Sequence, residues 1–130
     1  MQLLIVRHAE AARGEPDELR PLTETGRGQA RSLGKRLRAQ GLRPDAILTS
    51  PLLRARETGS LLGRELGVVA VADERLAPGA SAGPVAEAAA EHGETVVLVG
   101  HQPDCSQIAA ALAGGLEPDF PPAGSIAVSL

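Results

Sequence analysis

Leu3-Leu4-Ile5-Val6-Arg7-His8-Ala9-Glu10 opens the chain with four aliphatic residues that run straight into a cation and an imidazole. The apolar run is continuous rather than alternating, as in strands buried on both faces of a parallel sheet. The same pattern returns at Ala46–Thr49, Val68–Ala72, Thr95–Val99 and Ser125–Leu130, which read as the other strands. Helical windows lie between them. Thr23 is suited to cap a helix reaching Gln40, with Ala30, Leu33 and Leu37 on one stripe and Gly41 as its stop. Pro51 suits the first turn of a second helix, in which Leu52, Ala55, Gly59, Leu62 and Leu66 share a face. A third spans Pro84–His92, and a fourth opens at Pro103 or Asp104 and runs to about Ala113. The alternation predicts one α/β domain over residues 1–130: a mostly parallel central sheet with helices flanking it. The Pro/Gly-rich stretches Leu76–Pro84 and Gly114–Gly124 read as loops near functional edges.

Composition agrees with a globular chain: 43% of the 130 residues are hydrophobic and 22% charged. Phe120 is the only aromatic residue, so the core must be built from Leu, Val, Ile and Ala. Cys105 stands alone, which excludes an internal disulfide and a cysteine zinc cluster and points to a cytosolic address. No apolar run approaches the roughly 18 residues of a spanning helix, and the N-terminus lacks the basic lead-in of a secretory leader. Net charge is −3, unevenly distributed. Arg20 to Arg56 carries a local balance of +7, whereas Glu65 onward carries −8. That asymmetry points to an anionic ligand or acidic partner facing the first half. Nucleic acid fits poorly, because stacking aromatics are missing and the overall charge is acidic.

Ligands of parallel α/β sheets bind beyond the carboxyl ends of the strands. After the first strand comes Arg7-His8-Ala9-Glu10, and after the second Ser50-Pro51-Leu52-Leu53-Arg54. After the third comes Asp73-Glu74-Arg75, and after the fourth Gly100-His101-Gln102-Pro103. Two histidines and two arginines thus converge on one edge of the sheet. This set suits phosphoryl chemistry. Guanidinium forks hold phosphate oxygens bidentately, and a neutral imidazole attacks phosphorus. Nearby arginines favour that neutral form, and they would repel a divalent cation. No metal or other cofactor is called for.

At these residues the chain resembles the histidine phosphatase superfamily, with its phosphoglycerate-mutase-like fold, and within it the short SixA-type phosphohistidine phosphatases. The matching blocks are Leu4–Ala11, Arg20–Gly26, Ser50–Thr58 and Val97–Pro103, in the family's order. The resemblance implies that His8 is the nucleophile that becomes phosphohistidine, that Arg7 and Arg54 clamp the phosphate, and that His101 binds a phosphate oxygen. It implies that Arg20 closes over the substrate. Larger members carry a leaving-group acid after the third strand, for which Glu74 is the local candidate, with Arg75 or Glu10 as competing readings. Longer members also have a strand beyond the one at Ser125–Leu130. The chain therefore reads as truncated after Leu130, with the final strand missing.

Other motifs fail on inspection. Gly26-Arg27-Gly28-Gln29-Ala30-Arg31 has Arg31 where a dinucleotide fingerprint needs glycine, and it opens a helix that follows a loop. Cys105 has Ala111, not arginine, six positions on, which excludes the cysteine phosphatase signature. The basic helix surface of Arg27, Arg31, Lys35, Arg36 and Arg38 is a solvated face or a docking surface for an acidic protein. The expectation is a phosphatase acting on phosphohistidine of a partner such as a phosphotransfer domain or phosphocarrier. The rivals are a degenerate fold that only binds phosphoprotein and a small-molecule phosphomonoesterase.

Overall fold

The computed structural model describes residues 1–130. Its five strands are β1 (Gln2–Arg7), β2 (Ala46–Thr49), β3 (Ala70–Ala72), β4 (Thr95–Gly100) and β5 (Ser125–Ser129). They form one sheet in the order β3-β2-β4-β1-β5. The β2–β3, β2–β4 and β1–β4 pairs are parallel, and β5 runs antiparallel to β1. The helices are α1 (Glu24–Ala39), α2 (Leu53–Leu66), α3 (Ala82–Ala90) and α4 (Asp104–Ala113).

The unbroken apolar strands have a direct explanation: alternate side chains serve two different cores. Leu3 and Ile5 of β1, Leu48 of β2 and Val96 and Leu98 of β4 pack with Val85, Ala88 and Ile108 from α3 and α4. Val6, Ile47, Val97 and Val99 pack on the opposite face with Leu33, Leu37, Ala55 and Leu62 from α1 and α2. Phe120 is buried in the first of these clusters. Deleting a large side chain from either core would cost on the order of 2–5 kcal/mol.

Local signals set most boundaries, and three differ from expectation. Thr23 caps α1 as its side chain predicts, accepting from the Gly26 backbone N–H. β3 is shorter than Val68–Ala72 because α2 ends in a left-handed Gly67 (φ 74°) and the Val68 N–H bonds back to Gly63 O. Val68 thus completes the helix terminus instead of joining the sheet. Pro51 precedes α2 rather than lying in its first turn, because the Leu52 N–H bonds to the Ser50 hydroxyl and holds a turn there. α3 begins at Ala82, which puts Pro84 in its first turn, and ends at Ala90 rather than His92. The imidazole Nδ1 of His92 bonds instead to Ala88 O at that helix end. Two 3-10 turns, Asp17–Leu19 and Glu74–Leu76, have no forerunner in the sequence reading. No helix is long and apolar enough to cross a membrane.

Candidate active site

The carboxyl ends of β1, β2 and β4 meet at an open cavity of about 350 Å³ lined by Arg7, His8, Glu10, Arg20, Arg54 and His101, among others. A larger groove of about 600 Å³ lies away from it, between α2 and β3, and contains none of these residues. The smaller cavity is the functional candidate because it holds the converging histidines and arginines. Adjacent central strands put the two histidines side by side, with ring centroids 5.2 Å apart and planes tilted by 60°.

His8 continues β1: its backbone N–H bonds to Gly100 O at 2.9 Å. Its Nδ1 lies 2.7 Å from Ala9 O. A carbonyl only accepts, so Nδ1 carries the ring proton and Nε2 keeps a free lone pair. Burial is the main reason the His8 imidazole is pushed down to about 4; the charges of Arg54, Arg7 and Arg20 act in the same direction, while the bond to Ala9 opposes them. Its nucleophilic, neutral form therefore prevails at neutral pH. The sequence reading credited the arginines with this effect, whereas desolvation leads.

His101 is held the other way round. It is buried, and its Nε2 lies 2.7 Å from Ser50 Oγ. Burial, then the neighbouring His8 and Arg54, push it down to about 4 as well.

Arg7 and Arg54 are anchored by their outer nitrogens, and Arg20 by its Nε. Arg7 Nη1 donates to Phe120 O at 2.9 Å, which ties the Gly114–Gly124 loop to the cavity. Arg54, only 6% exposed, donates from Nη1 to Asp17 O at 2.9 Å and from Nη2 to Asp17 Oδ2 at 3.2 Å. Arg20 Nε lies 3.0 Å from Asp17 Oδ1. Partial desolvation works against the Asp17 charge, but the hydrogen bond and charge of Arg54, with those of Arg20, hold its carboxyl below the usual range.

These anchors leave a pattern. Four buried side-chain nitrogens make no well-directed hydrogen bond: Arg7 Nε, Arg54 Nε and His101 Nδ1, and Arg20 Nε, which does have the Asp17 carboxylate beside it in an ion pair. All four belong to cavity residues. An unsatisfied buried donor costs about 1–3 kcal/mol, and more when charged, so such groups are rare and call for a partner. Several donors around one cavity match a tetrahedral oxyanion.

Two expected acid positions separate here. Glu74 does not line the cavity: β3 ends at Ala72, Asp73 caps the following turn, and Glu74 is exposed to solvent. Arg75 is drawn away by Asp73 at 2.8 Å and Glu91 at 2.9 Å. Glu10 is the one carboxylate on the cavity wall, and it accepts from Thr23 Oγ1 at 2.6 Å. Gly26 lets α1 press against this wall, since a Cβ there would collide with the Glu10 carbonyl. Asp17 and Ser50 are the site residues that sequence reasoning missed. Ser50 was visible as part of a matched block without a role attached to it, whereas only a carboxylate three residues before Arg20 hinted at Asp17.

Comparison with known proteins points to one family. Residues 3–79 match the model of the histidine phosphatase superfamily (branch 1). An uncharacterised protein of Picosynechococcus sp. is 41% identical over 125 residues, covering 88% of this chain and 74% of its own. The mitochondrial serine/threonine-protein phosphatase Pgam5 of Drosophila persimilis is 38% identical over 65 residues, which is 49% of this chain and only 22% of the fly protein. Among solved structures, the protein histidine phosphatase SixA complexed with tungstate superposes with a TM-score of 0.92 at 30% identity, covering all of this chain and 88% of that one.

Proposed function

The chain belongs to the histidine phosphatase superfamily, and from that premise we propose that it dephosphorylates phosphohistidine on a partner protein through a phosphorylated His8. The observation that carries this reading is the set of unpartnered nitrogens on Arg7, Arg54 and His101 beside the free Nε2 of His8. Tungstate, bound by the superposed SixA, is a tetrahedral oxyanion of the kind such donors accept.

In the first displacement His8 Nε2 attacks phosphorus, and the P–N bond to a substrate phosphohistidine protonated on its other ring nitrogen breaks, so that the ring leaves as neutral imidazole. The Nε–H groups of Arg7 and Arg54 and the Nδ1–H of His101 bind the equatorial oxygens as charge builds on them. Water then attacks the phosphohistidine in line, giving inorganic phosphate and restoring His8. The carbonyl of Ala9 keeps the nucleophile's proton on Nδ1 throughout. The guanidinium groups and His101 supply the electrostatic stabilisation.

Two features favour a P–N substrate over an alkyl ester. An alkoxide needs a positioned acid, typically contributing about 10²–10⁴-fold, whereas imidazole leaves far more easily. Glu74, the expected acid, stands outside the cavity, and Glu10 is held by the hydrogen bond its carboxylate accepts from Thr23. The cavity is also open, which suits a phosphohistidine displayed on another protein.

The decisive experiment is ³²P trapping during turnover of a histidine-phosphorylated phosphotransfer domain. An acid-labile label on His8, absent in His8→Asn, is expected, with kcat/KM higher than for phosphoserine peptides or sugar phosphates. Phosphoprotein binding without label or turnover would make the protein a binding module. Faster turnover of a serine or sugar phosphate would overturn the substrate class.

A further inference from the structure

We propose that Ser50 is a positioning residue that fixes the tautomer of His101: its hydroxyl donates to Nε2 and thereby keeps the ring proton on Nδ1, the nitrogen free to meet a phosphoryl oxygen. The last clause rests on the phosphatase reading; the tautomer itself does not.

The backbone places the serine. Ser50 follows β2, and its N–H bonds to Val99 O at 2.9 Å, extending the β2–β4 pairing by one step and bringing it beside His101. It is fully buried, at 0% exposure. The next residue, Pro51, has no N–H to offer. The first available donor is therefore Leu52, whose N–H reaches Ser50 Oγ at 3.2 Å.

A count of protons then decides the polarity. A serine hydroxyl has one hydrogen to give and two lone pairs to share. Leu52 takes one lone pair, and His101 Nε2 at 2.7 Å is the only acceptor within reach of the hydrogen. With Nε2 accepting, a neutral imidazole carries its proton on Nδ1, which is buried and otherwise unpartnered. The opposite polarity fails twice. It would leave the Ser50 hydrogen without an acceptor at a fully buried position, and, on the phosphatase reading, it would aim the Nδ1 lone pair at an anion.

Burial keeps His101 neutral at pH 7, so one tautomer is there to be observed. Long-range ¹H–¹⁵N correlation NMR reads which ring nitrogen holds the proton. The expected spectrum of the wild-type protein shows a protonated Nδ1 and a bare Nε2. Ser50→Ala should move the proton toward Nε2, and Ser50→Thr, which keeps the hydroxyl, should hold it on Nδ1. On a phosphohistidine substrate Ser50→Ala should lower kcat about 10- to 100-fold with a smaller change in KM, because the donor matters most as charge builds in the transition state. A wild-type proton on Nε2 overturns the proposal, as does full retention of Nδ1–H in Ser50→Ala. If Ser50→Ala does not fold, Ser50→Cys supplies a side chain of similar shape and a weaker donor, and should shift the tautomer in the same direction. The NMR outcome is independent of turnover, so an inactive wild-type protein would sink the phosphatase reading and leave this one to be judged by its spectra.

Discussion

The ends of β1 and β4 make a controlled comparison. Each contributes one histidine to the same cavity, and burial pushes both imidazoles down to about 4. Their hydrogen bonds have opposite polarity. His8 gives its Nδ1 proton to the carbonyl of the very next residue and leaves Nε2 bare. His101 has its Nε2 tied to a side chain 51 positions away and leaves Nδ1 unpartnered. In the proposed mechanism one ring thereby serves as nucleophile and the other as donor, although composition and pKa do not distinguish them. Role is set by which nitrogen the fold occupies.

Four measurements sharpen or break this comparison. The largest effect belongs to the nucleophile: His8→Asn should lower turnover on the order of 10⁴-fold or more and abolish acid-labile labelling. A residual rate within tenfold of wild type would reverse the two roles. His101→Ala removes a donor rather than the bond-forming atom, and should cost about 10²–10³ in kcat while His8 can still be labelled.

The third is pH dependence. Attack needs neutral His8, and its depressed value means that activity should be flat from about pH 8 to 5 and fall about tenfold per unit once pH drops below about 4. The same shift bears on stability. The unfolded histidines take up protons near their ordinary 6.5 while the folded ones resist until about 4, so stability is complete above about 6.5 and declines as pH falls through that window. Far-UV circular dichroism separates the two, and a rate loss centred near 6.5 with the fold intact would show that burial does not depress His8. The smallest effect is expected from Glu74→Gln, less than about twofold on phosphohistidine, because the side chain faces solvent and imidazole needs little help to leave. A larger loss would bring the turn after β3 into the reaction.

The contrast also explains what the sequence could disclose. His8 was legible because the partner of its ring is contiguous with it: an apolar strand, the histidine and the carbonyl that follows it. The five strands were legible for a related reason, since two-sided burial writes itself as unbroken aliphatic runs. That Arg7 and Arg54 reach the same cavity followed from their position after strands. The partner of His101 was not legible, because it depends on β2 lying beside β4, a fact of strand order that periodicity does not encode. Asp17 was missed for the same reason: it meets Arg54 across 37 positions from a 3-10 turn with no hydrophobic period of its own. Glu74 was misplaced because strand β3 stops at Ala72 and Asp73 begins a turn that exposes the next side chain.

Asp17 has a bearing on exit as well as entry. A cavity with three guanidinium groups would hold inorganic phosphate as firmly as it holds a phosphorylated substrate, and a product that lingers stalls an enzyme. The Asp17 carboxylate already shares Arg54 and Arg20. Its negative charge lowers the attraction for any anion in the cavity, more for the more highly charged, while the Nε–H donors of Arg7 and Arg54 remain without a partner in the protein. On the proposed mechanism the turn at Asp17–Leu19 would act as ballast, weakening indiscriminate retention of phosphate while leaving the directional part of recognition intact.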